Sequence, residues 1–328
     1  MSVKTSDPLT KNLNRGDLAT LLLLTSAPTA KSSFENGEIW YRSNASAGAL
    51  HPLEFYISFP GAADLPAGLY HYDLLQPALQ RLRQNPALKN FTTACNCEGR
   101  MPESWAAAPI LIISALFFRS AWKYRDRAYR YLLLDCGHAL ENLVLALQFM
   151  EVDFEIELNF DDSTINQALH FDQQREVGLV AVRLPPPTAE TAIKVPVETC
   201  DPEPELSSDE LIAVKEIKYP ALNEIHQSTS SPLLKKSTRE NIKSIFFEGI
   251  PNWQAIPDNI SQPEVFNSHI EGLSWRRSKR NFIKSKTLLS LTTFYALLGL
   301  LLEDTSTFDS IRPEILFSAV GVEGFVDG

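Results

Sequence analysis

The stretch RAYRYLLLDCGHALENLVLALQFM, residues 127–150, most constrains what this chain can fold into. It reads as one long helix that is apolar around most of its circumference, and such a helix must lie inside a domain or at an interface. The segments around it supply the cover. PLEFYISF (52–59), APILIISALFF (108–118) and VGLVAVRL (177–184) read as buried strands, and GLYHYD (68–73) with ALQRLR (78–83) reads as a short hairpin. GDLATLLLLTSA (16–27) predicts a buried or amphipathic helix with Asp17 near its start. DDSTINQALHF (161–171) predicts a short helix capped by Asp or Ser.

This dense pattern ends near Leu184. From Pro185 to about Ser274 the chain turns to prolines, carboxylates and serines, as in VPVETCDPEPELSSDE, which is linker chemistry. DELIAVKEI and ENIKSIFF are candidate short helices within it. A third zone opens at WRRSKRNF. Its LLSLTTFYALLGLLL, RPEILFSAV and GVEGFVDG echo the helix, strand and turn of the first zone, with Pro313 in the place of Pro52 and Gly328 in the place of Gly68. The expected organisation is a domain over 1–184, a linker over 185–274, and the start of a second, incomplete copy over 275–328.

Composition narrows the partners. With 328 residues there is enough chain for a sizeable core, and the net charge of −10 argues against nucleic acid or an anionic membrane surface. No signal peptide is read at the start and no apolar run reads as a membrane span, so a cytoplasmic protein is expected. The four cysteines, Cys95, Cys97, Cys136 and Cys200, show no zinc-site spacing and read as reduced thiols; no metal site is expected.

Four stretches carry side chains suited to chemistry. In YRSNASAGALHP (41–52), Arg42 offers a forked cation, Ser43 and Ser46 offer hydroxyls, and Gly48 permits close backbone approach to an anion. On spacing alone it reads as a polar loop before a strand, because short Ser/Gly stretches are common. RRSKRNF brings Arg276 and Ser278 together as a phosphate grip, although by composition it is a surface basic run. WKYRDRAYRY puts Lys123 beside Tyr124 just after a buried strand. Burial near arginines would make Lys123 a usable base, and exposure would leave both as ordinary loop side chains. Asp135 and His138, at i and i+3, share a helix face and read as a structural pair. Glycine-rich nucleotide loops and the nucleophile elbow are missing from the sequence.

Taken in order, RSNASAGALHPLEFYI, LPAGLYHYD, LIISALFFRSAWKYRDRAYRYLLLDCGHALENLVLAL and FDDSTINQALHF resemble the SagB-type dehydrogenase branch of the nitroreductase-like flavoproteins, over roughly Asp17 to Leu184. RRSKRNF resembles the phosphate-binding motif of nitroreductases. The resemblance implies an α+β fold, with a central mixed or antiparallel sheet flanked by helices. It implies FMN bound where two such domains meet, in a homodimer or an intramolecular pseudo-dimer. It also implies oxidation of azolines in peptides, with Lys123 as base, Tyr124 beside it, and hydride leaving for flavin N5. Arg42, Ser43, Ser46 and Gly48 would then contact FMN, and Arg276 and Ser278 would grip its phosphate. A nitro- or quinone-reductase using NAD(P)H is the alternative enzyme. A non-catalytic scaffold is the alternative to an enzyme. Two departures stand out: Glu157, Leu158 and Asn159 fill positions near the ring where little side chain is expected, and Ala45 replaces a usual proline.

Overall fold

The structure is a computed structural model describing residues 13–35, 37–62, 64–95, 107–186, 215–230, 272–273, 276 and 289–301. The chain divides into two units. One comprises Ser2–Leu233 with Asn267–Arg277, the other Met1, Leu234–Phe266 and Ser278–Gly328.

The first unit is built on a six-stranded sheet of β3 (Leu53–Phe59), β4 (Gly68–Asp73), β5 (Ala78–Arg83), β6 (Ile110–Leu116), β7 (Glu155–Glu157) and β8 (Glu176–Arg183). Its order is β5-β4-β3-β6-β8-β7 and every pairing is antiparallel. The expected α+β class is therefore observed, with the sheet antiparallel throughout. β3 is buried along its whole length, because both faces of the sheet are covered. Strand alternation divides its side chains: Leu53, Phe55, Ile57 and Phe59 join one apolar cluster, while Tyr56 joins the other. The first cluster is filled by α1 (Arg15–Ser26) and α4 (Ala128–Phe149), the second by α2 (Leu88–Cys95) and α5 (Asp162–Ala168).

The expected long helix is α4. Its inner face, including Leu132, Cys136, Ala139, Leu143 and Leu147, is core, whereas Leu133 and Leu134 are exposed. The continuous stretch Phe117–Phe149 is long and apolar enough to cross a membrane by composition alone, but a buried core helix meets the same test. α4 is tied to α1 where Asn142 Nδ2 donates to the Thr25 carbonyl at 3.1 Å. α1 begins at a capping box, with the Asn14 side chain accepting from Asp17 N and Asp17 reaching back to Asn14 N. Asp161 caps α5 as expected, accepting from Ser163 N and Thr164 N. Cys95 and Cys136 are buried, while Cys97 and Cys200 lie outside the described residues.

Three elements differ from the expectation. β6 ends at Leu116 rather than running to Phe118, and the chain passes directly into α3 (Phe117–Tyr124), so Lys123 and Tyr124 sit on a helix instead of a loop. Before the Arg42 loop the chain forms a separate hairpin, β1 (Pro28–Phe34) with β2 (Gly37–Arg42). α6 (Pro220–Thr229) lies in the zone read as linker and buries Leu222 and His226, with Tyr129 Oη 3.1 Å from His226 Nδ1. Most of DELIAVKEI and all of ENIKSIFF lie outside the described residues.

In the second unit, Leu291–Leu301 is a helix, as LLSLTTFYALLGLLL predicts, and Ser290 Oγ accepts from Thr293 N at its start. RPEILFSAV and GVEGFVDG, the rest of the expected second copy, lie outside the described residues.

Candidate functional site

The ends of β2, β3 and β6 bring the polar stretch 42–52 against α3 and α4. Leu116 N donates to the Pro52 carbonyl, which pins the start of β3 beside the end of β6 and therefore beside α3. The loop crosses this point under backbone strain. Gly48, Ala49 and His51 have φ of 65°, 56° and 47°, and the left-handed region is costly for the two residues that carry a Cβ. Such strain persists only where surrounding contacts hold it, and those contacts are specific here. Ser46 Oγ donates to Asp135 Oδ2 at 2.6 Å, Ala47 N donates to Asp135 Oδ1 at 2.9 Å, and His51 N donates to Ser46 Oγ at 2.9 Å.

The strained loop faces the Lys-Tyr pair. A Cβ on Gly48 would stand 2.6 Å from Lys123 Nζ and 2.7 Å from Tyr124 Oη, so any larger residue there must push these two side-chain tips aside. Lys123 Nζ lies 5.5 Å from the centre of the Tyr124 ring, which also meets the Tyr131 ring at 4.4 Å. Lys123 is exposed and Tyr124 half-buried.

Arginines surround the other side of the loop. Arg276 Nε donates to the Ser43 carbonyl at 2.8 Å and Nη2 to the Arg42 carbonyl at 3.3 Å. The structure thus joins Arg276 to the Arg42 loop, across most of the sequence. Arg276 braces this backbone with two of its donors, while Ser278 lies outside the described residues. Arg119 Nη1 donates to the His51 carbonyl and pairs with Glu54, which also meets His71 Nε2 at 2.7 Å. Burial opposes ionisation of Glu54, but the His71 hydrogen bond and the Arg119 charge outweigh it and hold its pKa below the usual carboxylate range. Burial brings the Arg42 guanidinium down to about 10 even with Glu54 nearby. Burial, reinforced by Arg42, Arg119 and Arg276, pushes His51 down to about 3, so its ring is neutral.

Among the described residues, Ser43 Oγ and Ser120 Oγ on α3 are buried without a hydrogen-bond partner, and the buried His51 ring nitrogens have none of good geometry, the Trp40 backbone acting on the ring only weakly. Unmet buried polar atoms are costly, and clustered beside arginines they mark a surface built to meet a polar, anionic group. These are groups suited to the anionic, polar cofactor that the sequence resemblance implies, FMN.

Sequence reasoning placed Asp135 with His138. The structure qualifies this: the buried Asp135 gives its hydrogen bonds to the loop, and the exposed His138 acts on it only electrostatically. The i, i+3 spacing is real, but bonds to the strained loop satisfy the buried carboxylate better than a solvated imidazole. Glu157 lies on β7 paired with the wholly buried Arg183, and Leu158 and Asn159 are exposed. Sequence reasoning missed His51, Glu54 and Arg119. A usable signal existed for Glu54, because a carboxylate inside an otherwise apolar strand must find a partner.

The model of the family described as "Nitroreductase family" matches residues 10–182, more than half of the chain. The chain belongs to the nitroreductase family. It is 31% identical over 170 residues to the trifolitoxin-processing protein TfxB of Rhizobium leguminosarum bv. trifolii, covering 50% of this chain and 45% of that protein. It is 25% identical over 145 residues to the microcin B17-processing protein McbC of Escherichia coli, covering 42% and 52%. These relatives agree with the SagB-type resemblance of the sequence. The chain spans about half the length of the curated relatives it matches. A putative nitroreductase from Anabaena variabilis shares the fold, with a TM-score of 0.64 at 21% identity, over 98% of this chain and 66% of that one. Nitroreductase-family proteins are in general oxidoreductases and typically use a flavin.

Proposed function

We propose that this protein is an FMN-dependent oxidoreductase of the SagB type, acting on an azoline in a peptide. The observation that carries the reading is the convergence at Gly48, where a strained loop rimmed by arginines lies against Lys123 Nζ and Tyr124 Oη. FMN, when bound, would supply the two-electron acceptor for the reaction.

The residues of the chain divide the remaining work. Arg42 and the unpartnered Ser43 hydroxyl are suited to the anionic end of FMN, and the neutral His51 ring can donate to it or accept from it. Ser46, bonded to Asp135, braces the loop rather than reaching outward. Arg276 holds the carbonyls of residues 42 and 43 in place. Lys123 Nζ takes the proton from the azoline carbon, and Tyr124 holds the amine and the substrate edge. The exposure of Lys123 leaves its cover to be supplied by a second domain, as a homodimer or as a pseudo-dimer within a longer chain. A cytoplasmic setting and a peptide or small-molecule partner complete the reading.

The test is FMN binding by the purified protein, followed by turnover of an azoline-containing peptide. Arg42→Ala weakens FMN binding at least tenfold, and Lys123→Ala abolishes azoline oxidation while leaving FMN bound. No flavin absorbance after FMN is supplied overturns the proposal. Steady NAD(P)H oxidation with a quinone, insensitive to Lys123→Ala, replaces it with a nitro- or quinone-reductase.

A further inference from the structure

We infer that Asp135 is a positioning residue, holding Gly48 against Lys123 and Tyr124 through a hydrogen-bonded node in the 46–51 loop. This inference rests on the FMN-oxidoreductase reading for its catalytic consequence, but its structural content does not.

The node is compact. One carboxylate accepts from the Ser46 hydroxyl at 2.6 Å and from the Ala47 amide at 2.9 Å, and the same hydroxyl oxygen accepts from the His51 amide at 2.9 Å. Three loop positions on both sides of Gly48 therefore hang on a single side chain of α4. Asp135 is 2% exposed, and it belongs to the same core helix that packs against α1 and the sheet. The rigid element thus carries the anchor, and the strained segment is what it holds. The strain gives the anchor something to resist: Ala49 and His51 sit in the left-handed region with a Cβ, so a released loop would relax away from this geometry. Relaxation would open the contact between Gly48 and the Lys123 amine, which an added Cβ would close to 2.6 Å. Burial raises the Asp135 pKa, opposed by its bonds to Ser46 and Ala47, so the fold does not gain by placing a charge there. A carboxylate that is costly to bury and spends its bonds on a strained loop is better explained by geometry than by stability.

The test uses the full chain with three readouts: hydrogen exchange at the Ala47 and His51 amides, the labelling rate of Lys123 by an amine-acylating reagent, and kcat and KM of the FMN-loaded protein. In Asp135→Ala both amides lose at least tenfold in protection and Lys123 labelling changes at least threefold. kcat per bound flavin falls 10- to 100-fold with KM within threefold. Ser46→Ala behaves alike, and Ser46→Thr, which keeps the hydroxyl, restores kcat to within threefold of wild type. If Asp135→Ala fails to fold, the isosteric Asp135→Asn, which keeps one acceptor for Ala47, shows the same changes at smaller size. Unchanged exchange and labelling overturn the inference, and so does a loosened loop with unchanged kcat. If the unaltered protein shows no turnover, the proposed function falls by itself, and exchange together with labelling decides the inference.

Discussion

Replacing Gly48 by alanine separates the geometry of this site from the stability of the fold. The new Cβ would stand 2.6 Å from Lys123 Nζ and 2.7 Å from Tyr124 Oη. An ordinary contact sits near about 3.5 Å, so both groups must retreat by roughly 1 Å. Both are tips of side chains, so the collision itself is relieved at little cost in stability. The backbone cost is separate: φ of 65° with a Cβ carries about 1–2 kcal/mol. For a domain of this size that lowers Tm by about 3–6 °C. Displacing a reacting group by roughly 1 Å costs on the order of 100-fold in rate. Gly48→Ala therefore stays folded and binds FMN, yet loses about two orders of magnitude in kcat on an azoline peptide, normalised to bound flavin. In a Lys123→Ala background the same substitution lowers Tm by about the same amount, because the cost lies in the backbone and not in the collision. Gly48→Ala with the expected fall in Tm but turnover within threefold of wild type would refute the placement of Lys123 and Tyr124 at the reacting centre.

Other outcomes follow from the buried charges and the caps. Glu176 accepts from Ser114 Oγ and Tyr56 Oη, faces Glu54 and His71, and is raised to about 7, mainly by burial. Its protonated form is the one the fold favours, so its stabilising contribution is complete below its unfolded pKa of roughly 4.5 and is lost as pH rises through about 7, at most about 3 kcal/mol. Urea unfolding from pH 4.5 to 8 should show that loss, and Glu176→Gln should flatten it. Glu54→Ala strands Arg119 and His71 and costs about 2–3 kcal/mol by thermal unfolding, reduced from the fully buried case because Arg119 is partly solvated. Asn14→Ala removes the α1 capping box and costs about 1 kcal/mol in the same assay, with azoline turnover unchanged.

What the sequence reveals divides along physical lines. α4, β3, β6 and β8 are legible because each buries an apolar face, and burial leaves a periodic trace in the residues themselves. The β1–β2 hairpin leaves almost none. Phe34, Ile39 and Trp40 are exposed, so no apolar alternation betrays it, and only the Asn36-Gly37 pair signals a turn. α3 is hidden for the opposite reason: the apolar run passes from Leu116 to Phe117 without glycine or proline, and periodicity has too little length to change from strand to helix. α6 begins at Pro220, a sound helix-start signal, but it is set in a composition that argues for linker. The site obeys a stricter limit. Which residue types could hold an anion or move a proton is readable at Arg42, Ser43 and Lys123, because chemistry belongs to the side chain. Which of them meet is set by contacts far apart in the chain. Ser46 and Asp135 are separated by 89 positions. Asp135 has a polar neighbour three residues away in His138, and local spacing can only nominate that neighbour. Burial decides otherwise: the carboxylate that packs into the core takes its hydrogen-bond partners from the loop strained against it, and the exposed imidazole keeps only an electrostatic influence on it.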